Sequence, residues 1–197
     1  MDENTEIWSR YYQKALSRPH RERTELAVQL NESNLNIATD CGCGTGSDIE
    51  YLQRQGYKVY GYDINPEAVA ISKRRFASIP SVNVTPSSFE SFHYSDTGVM
   101  IANSSLFFAH PDLFPVSWKK MHTAIVKGGV FAGDFMGEKD SWANNYRRPT
   151  TPLSESEVRA LFSSFKIISF DTRDEQAKTS LGVMKHWHTF SVVAIKT

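Results

Sequence analysis

The sequence predicts an α/β fold, a three-layer sandwich around a mainly parallel seven-stranded sheet that closes on an antiparallel C-terminal strand. Three observations predict it. Strand-like and helix-like segments alternate after a helical preface, as they do where crossover helices join parallel strands. A glycine-rich loop lies between the first strand and its helix. The final apolar run places Phe190, Val192 and Ala194 on one side, as an antiparallel partner would. With 197 residues, 40% of them apolar and 22% charged, the chain has the length and composition of one globular unit. A single domain over 1–197 is expected, with a preface at 1–31 and the α/β core at 35–197.

The preface runs from about Glu6 to Leu30, with Trp8, Tyr11, Tyr12 and Leu16 at helical spacing and a break near Pro19. The first strand is Leu35 to Thr39, and a helix follows the glycine loop from Asp48 to about Gln55. Ser47 and Glu50 have the spacing of a capping box, and Gly56 is placed to end the helix. The second strand, Lys58 to Tyr62, leads to Asp63. Asn65 then caps a helix that has Pro66 at its first position and carries Val69, Ser72 and Phe76 on one face.

Short strands follow near Val82 to Thr85 and Val99 to Ala102. Leu113, Val116, Trp118, Met121 and Ile125 make a broad apolar stripe on a helix from Asp112 to Val126. Gly128-Gly129 turns the chain into a fifth strand, Val130 to Phe135. A helix from Glu155 to Phe165 begins at a second capping box, Ser154 and Glu157, before strands at Lys166 to Phe170 and Trp187 to Ile195.

The 22 basic and 22 acidic residues cancel, which removes the electrostatic signature of a protein that tracks phosphate backbones. No nucleic-acid partner is expected. The start, Met1-Asp2-Glu3-Asn4-Thr5-Glu6, is acidic and unlike a secretory signal. No apolar stretch approaches the roughly 18 residues of a membrane span. Cys41 and Cys43 are badly spaced for a disulfide and too few for a structural zinc site. These features lead to the expectation of a cytoplasmic protein with no membrane attachment and no metal. The oligomeric state is left open.

Asp40-Cys41-Gly42-Cys43-Gly44-Thr45-Gly46 carries the chemical argument. Alternate glycines let the backbone turn tightly and approach a ligand without Cβ clashes. Such a loop alone serves nucleotides of many kinds. Two acids sharpen it: Asp40, two residues before the first glycine, and Asp63, seventeen positions after Gly46. A carboxylate at the second strand end can accept hydrogen bonds from both ribose hydroxyls of a nucleoside. Asp40 would oppose a pyrophosphate but welcome a ligand with sulfonium and ammonium groups.

Asp40-x-Gly42-x-Gly44-x-Gly46 with Asp63 resembles the first two motifs of class I S-adenosylmethionine-dependent methyltransferases, whose fold is Rossmann-like. The resemblance covers nearly the whole chain, including the Lys127-Gly128-Gly129 turn and the antiparallel close. Asn103 to Phe108 and Phe131-Ala132-Gly133 are loosely similar to small bacterial members such as the tellurite-resistance-type methyltransferases. The resemblance implies S-adenosylmethionine as cofactor. It also implies that Gly42, Gly44 and Gly46 line the methionine part, Asp63 holds the ribose, and Ile64 lies against the adenine. Ser88 and Phe89 would flank the adenine, and Asn103 would end the fourth strand near the methyl group. Many members place an acid near Ser88 to bind the adenine amine, whereas this chain has Ser87-Ser88-Phe89. A serine hydroxyl or a backbone group would have to substitute.

Other groups keep two readings each. Trp8, Tyr11 and Tyr12 form either a helix packed on the sheet or a lid over the cofactor, the latter drawn from the resemblance. In His186-Trp187-His188, strand alternation puts both histidines on one face, as general-base candidates or as ordinary edge positions. Asp134 and Asp140 are either pocket residues or cap residues. No catalytic residue is assigned.

Amino-methylating nucleic-acid enzymes carry two prolines and an aromatic after the fourth-strand Asn or Asp, whereas Asn103 is followed by Ser104-Ser105-Leu106. No cysteine lies beyond the first motif to serve as a cytosine-C5 nucleophile. A small-molecule acceptor is therefore expected. The alternatives are a nucleic-acid or protein methyltransferase, a non-catalytic nucleotide-binding module, and a nicotinamide-dependent oxidoreductase. The last would prefer a glycine where Ser47 stands. The acceptor site is expected from the preface, the loop Ser104 to Pro115 and the segment Gly137 to Pro152.

Overall fold

The computed structural model describes residues 3–197, with side chains from residue 6 onward. Met1 and Asp2, part of the acidic start, lie outside the described residues. The elements begin with α1 (Glu3–Ala15), α2 (Glu22–Leu30), β1 (Ile37–Cys41), α3 (Ser47–Arg54), β2 (Lys58–Asp63), α4 (Pro66–Arg75), β3 (Val82–Pro86) and β4 (Thr97–Ala102). They continue with α5 (Phe114–Ala124), β5 (Ile125–Gly137), α6 (Ser141–Asn145), β6 (Pro152–Leu153), α7 (Glu155–Leu161), β7 (Phe165–Lys178) and β8 (Met184–Lys196).

The strands run β3-β2-β1-β4-β5-β8-β7 across the sheet. β1 to β5 are parallel, β8 is antiparallel to β5, and β7 is antiparallel to β8. All seven expected strands are present, and the two-residue β6 adds an eighth beside the end of β5. Every residue of β4 is buried. Val99 and Ile101 face one side of the sheet, and Met100 and Ala102 face the other, as a parallel strand covered on both faces requires. Ala27, Ile49, Leu52 and Val69 bring α2, α3 and α4 onto the first side. Trp118, Met121 and Val158 bring α5 and α7 onto the second. Each large side chain so buried contributes about 1.5–3 kcal/mol relative to exposure. The fold is therefore the Rossmann-like three-layer sandwich. Among the described residues, no helix is long and apolar enough to cross a membrane.

Several local expectations are corrected. β1 lies two residues later than predicted, so Asp40 and Cys41 belong to the strand and not to the loop. Ladder pairing of Asp40 with Gly61 and Ile101 outweighs its polarity. The Ser47–Glu50 capping box does not form. Gly46, at φ 83°, stands at the N-cap of α3, Ser47 Oγ donates to the Arg18 carbonyl, and Glu50 is held by Arg54 and Arg75. The Ser154–Glu157 box does form, as does the Asn65 cap with Pro66 behind it.

The stripe on α5 is narrower than expected. Its buried line is Phe114, Ser117, Trp118 and Met121, whereas Leu113 and Val116 are 40% and 52% exposed. The chain enters β5 at Ile125, so Gly128 and Gly129 lie inside the strand where its pairing with β4 shifts register. Gly128 adopts φ 76° there and offers its carbonyl to Glu32 N. β7 and β8 both outrun their predicted ends and form a long hairpin, which is largely exposed on β7 from Asp171 to Gln176.

Candidate functional site

β1 and β4 are neighbours at the centre of the sheet, and the chain leaves them toward opposite edges. Crevices form above the C-terminal ends of strands at such a switch point. Here the crevice is a cavity of about 720 Å³. Asp40, Gly42 to Thr45, Asp63 to Pro66 and Asn103 to Ser105 form its floor, and α1 supplies Trp8, Tyr11, Tyr12 and Ala15.

The glycine loop is fixed from below. Cys43 N donates to the Tyr62 carbonyl at 2.9 Å, Ser72 Oγ donates to the Gly44 carbonyl at 2.8 Å, and Arg75 reaches the Thr45 carbonyl. A Cβ on Gly42 would come within 2.5 Å of Ser105 Cβ, so this position requires glycine for packing as well as for its φ of 72°. Gly44 differs: at φ 53° it has nothing within 4 Å of the Cβ position. Its bare backbone borders the cavity, the arrangement that admits a ligand close to the chain. Gly46 does not line the cavity. Its missing side chain makes room for Phe76, whose ring would lie 2.5 Å from a Cβ.

Two acids border the loop in different states. Asp63 accepts from Gly44 N at 2.9 Å and from Asn65 N at 2.8 Å. Burial pushes its carboxyl above the usual range, and these backbone donors pull it part of the way back. Asp40 is 3% exposed, and among the described residues no hydrogen bond or ion pair reaches its carboxylate. Burial first, and then Asp48 and Asp63, push its carboxyl well up. An ionised carboxylate without a partner is costly to bury, so the cavity is prepared for a cationic ligand beside Asp40.

Asn103 ends beside the floor. Its Nδ2 donates to Thr24 Oγ1 at 3.1 Å and to Asp48 Oδ2 at 3.0 Å, and its Oδ1 is buried without a partner. Ile64, 71% exposed, and Ser88 and Phe89 also line the cavity. Ser88 Oγ donates to Glu90 Oε1 at 2.6 Å, which brings an acid to that wall two residues beyond the expected position.

The upper part of the cavity is aromatic. Trp8 meets Phe108 edge-on with ring centroids 5.6 Å apart, and Phe108 packs against Tyr146 at 5.2 Å. Phe108 and His110 come from the loop after β4, and Tyr146, Arg148 and Pro149 come from the segment after α6. These are the regions from which the acceptor site is expected.

Several candidates lie elsewhere. Asp134 is buried beneath the floor, pairs with Arg23, and accepts from Ser191 Oγ at 2.6 Å and Ser104 N at 3.0 Å. It thereby holds Ser104 at φ 53°. Asp140 caps α6 through Trp142 N and pairs with the buried Lys185, whose ammonium lies 3.6 Å from the centre of the Trp142 ring. His186 is bound to Asp174, and His188 Nδ1 accepts from Lys139 N at 3.1 Å. Neither histidine lines the cavity.

Asp48, Glu90, Phe108, His110, Tyr146 and Arg148 line the cavity without having been anticipated individually. Asp48 has a local signal, an acid opening the helix after the glycine loop, but that signal also fits a simple helix start. The others sit in irregular segments where periodicity says nothing.

By sequence, the family described as "Methyltransferase domain" matches residues 39–133. No curated protein matches the chain. TehB from Haemophilus influenzae superposes with a TM-score of 0.74 at 14% identity, over 92% of this chain and 63% of that one. The chain thus spans less than two thirds of that protein. A SAM-dependent methyltransferase from Methanosarcina mazei gives a TM-score of 0.68 at 17% identity, over 91% and 99% of the two chains. The Burkholderia thailandensis 1,6-didemethyltoxoflavin-N1-methyltransferase, solved with 1,6-didemethyltoxoflavin and S-adenosylhomocysteine bound, gives 0.61 at 16% identity, over 89% and 79%.

Proposed function

We propose that this chain is a class I S-adenosylmethionine-dependent methyltransferase and that it methylates a small molecule that is nucleophilic at neutral pH. The observation that carries this reading is Asp40, a buried carboxylate without a partner on the wall of the cavity. A cationic cofactor compensates that charge, and a dinucleotide does not.

When bound, the cofactor supplies a methyl group activated by a sulfonium. The chain's own residues supply its placement. Gly42 and Gly44 border the methionine part, with Asp40 facing its cationic groups. Asp63, fixed by Gly44 N and Asn65 N, accepts from the ribose hydroxyls. Ile64 and Phe89 cover the adenine, and Ser88 with Glu90 faces its amine. Asn103 stands near the methyl group with an acceptor oxygen unused by the protein. Gly46 acts at one remove, by admitting Phe76 beneath the loop.

The acceptor end offers no evident base. Burial raises Tyr12 and Tyr146, so both phenols stay protonated near neutral pH. His110 Nδ1 already accepts from Asp112 N. Catalysis then rests on alignment and exclusion of water, and alignment is worth up to ~7–11 kcal/mol in favourable geometry. An acceptor such as a thiolate or a heteroaromatic nitrogen needs no general base. A cavity of about 720 Å³ has the size of a small-molecule site. The Burkholderia thailandensis enzyme of similar fold, solved with 1,6-didemethyltoxoflavin and S-adenosylhomocysteine bound, is in keeping with this reading.

The test is release of S-adenosylhomocysteine from S-adenosylmethionine in the presence of thiols, heteroaromatic amines, RNA, DNA or a peptide mixture. Release with members of the small-molecule set alone is expected. Methyl incorporation into RNA, DNA or peptide would overturn the acceptor class. Cofactor binding with no turnover across the whole set would favour a binding module.

A further inference from the structure

We propose that the aromatic end of the cavity selects a flat aromatic acceptor that carries an oxyanion, with Arg148 as the residue that receives the anion. This inference rests on the methyltransferase reading and names the class of small molecule.

The argument is one of charge and shape. The acids that line the cavity, Asp40, Asp48, Asp63 and Glu90, belong to the floor and the wall that faces the cofactor. Asp48 is already engaged by Thr24 Oγ1, Asn103 Nδ2 and Arg21 N. No acid lines the end built by Phe108, His110, Tyr146 and Arg148. Among the described residues, the Arg148 guanidinium has no hydrogen-bond or ion-pair partner. Burial raises the Tyr146 phenol, and the charges of Arg147 and then Arg148 draw it partly back, which places Arg148 beside this ring. His110 adds a second donor. Its Nδ1 accepts from Asp112 N, which leaves Nε2 as the nitrogen that donates. Asp112, the partner of His110, is exposed and does not line the cavity.

The same end is walled by rings. Trp8, Phe108 and Tyr146 meet at centroid distances of 5.6 and 5.2 Å, which suits the faces and edges of a flat ligand. Arg148 is held at this rim by its chain neighbours: Thr151 N donates to the Phe107 carbonyl and Thr151 Oγ1 to that of Ala109. A planar guanidinium is the donor best matched to a carboxylate or similar oxyanion. An aromatic wall with donors at its rim and no acceptor charge favours an anionic ring over its neutral or cationic counterpart.

Three probes that share one ring and differ in charge test this by isothermal titration into the protein saturated with S-adenosylhomocysteine: 2-naphthoate, its isostere 2-naphthamide, and 2-naphthylmethylammonium. Naphthoate should bind at least about tenfold tighter than the amide, and the ammonium more weakly than either. Arg148→Gln should bring naphthoate down to the affinity of the amide and leave the amide and S-adenosylhomocysteine unchanged. Because Arg148 is exposed, this variant is expected to fold. Arg148→Lys should restore part of the preference. Equal affinities for the three probes, no binding of any of them, or a naphthoate affinity indifferent to Arg148→Gln would overturn the proposal and leave the cofactor assignment standing. Failure of S-adenosylhomocysteine itself to bind would remove the methyltransferase reading and this inference with it.

Discussion

Asp40 combines a central strand position with a carboxylate that nothing in the protein neutralises. Its carboxyl is held well above the ordinary range by burial and by Asp48 and Asp63, and the sign of the consequence is definite. A raised acid favours the folded state while protonated, so its contribution is complete below the unfolded carboxylate pKa. It is lost as pH climbs through the raised value. The cofactor-free protein should therefore be stabilised at neutral pH by Asp40→Asn, with Tm rising by ~2–4 °C for each kcal/mol of relief. The gain should shrink as pH falls toward 4, while affinity for S-adenosylmethionine drops. Differential scanning fluorimetry across pH checks this, and an Asn variant less stable than the parent at pH 8 would contradict it. Asp40 and Asp63 were legible in the sequence because each is fixed relative to a strand end and a glycine loop. Glu90 and Arg148 were not, because only the folding of separate loops around the cavity gives them a role. Gly46 was legible as the third of the alternating glycines in the loop, but its task is to admit Phe76 from the end of α4.

At the scale of elements, local rules succeeded where no tertiary partner competed. The Asn65 cap and the Ser154–Glu157 box form as the sequence indicates. The Ser47–Glu50 box fails because Arg18, Arg54 and Arg75 claim the same side chains. The stripe on α5 was overdrawn because Leu113 and Val116 fall outside the face turned to the sheet. α1 admits a sharper test. Trp8 stacks near Tyr12 at 5.8 Å and meets Phe108, so it ties α1 to the rim of the cavity. If α1 acts as a lid, Trp8→Ala should weaken S-adenosylhomocysteine binding by roughly tenfold, or ~1.4 kcal/mol. The Tm of the cofactor-free protein should move by no more than ~2–4 °C. Calorimetry alongside thermal unfolding separates the two roles: unchanged affinity with a large fall in Tm would make α1 a packing helix only.

For the whole molecule, the mainly parallel sheet and the buried β4 followed from alternating segments and from an apolar run suited to burial on both faces, whereas the order of the strands emerges only in the structure. The reach of the β7–β8 hairpin did not, since its outer residues on β7 are polar and exposed, and only the ladder and cross-strand contacts such as Asp174 with His186 hold them. The architecture places a glycine loop, two acids and an aromatic chamber around one cavity, and the central claim is that this cavity takes S-adenosylmethionine. Thermal unfolding with S-adenosylmethionine, S-adenosylhomocysteine and NAD tests it most directly. At about a hundredfold excess over its dissociation constant, a true ligand stabilises by ~2.7 kcal/mol, or roughly 5–11 °C for a chain of this size. The two sulfur compounds should produce that shift and lose it in Asp63→Ala, and a shift with NAD alone would contradict the account.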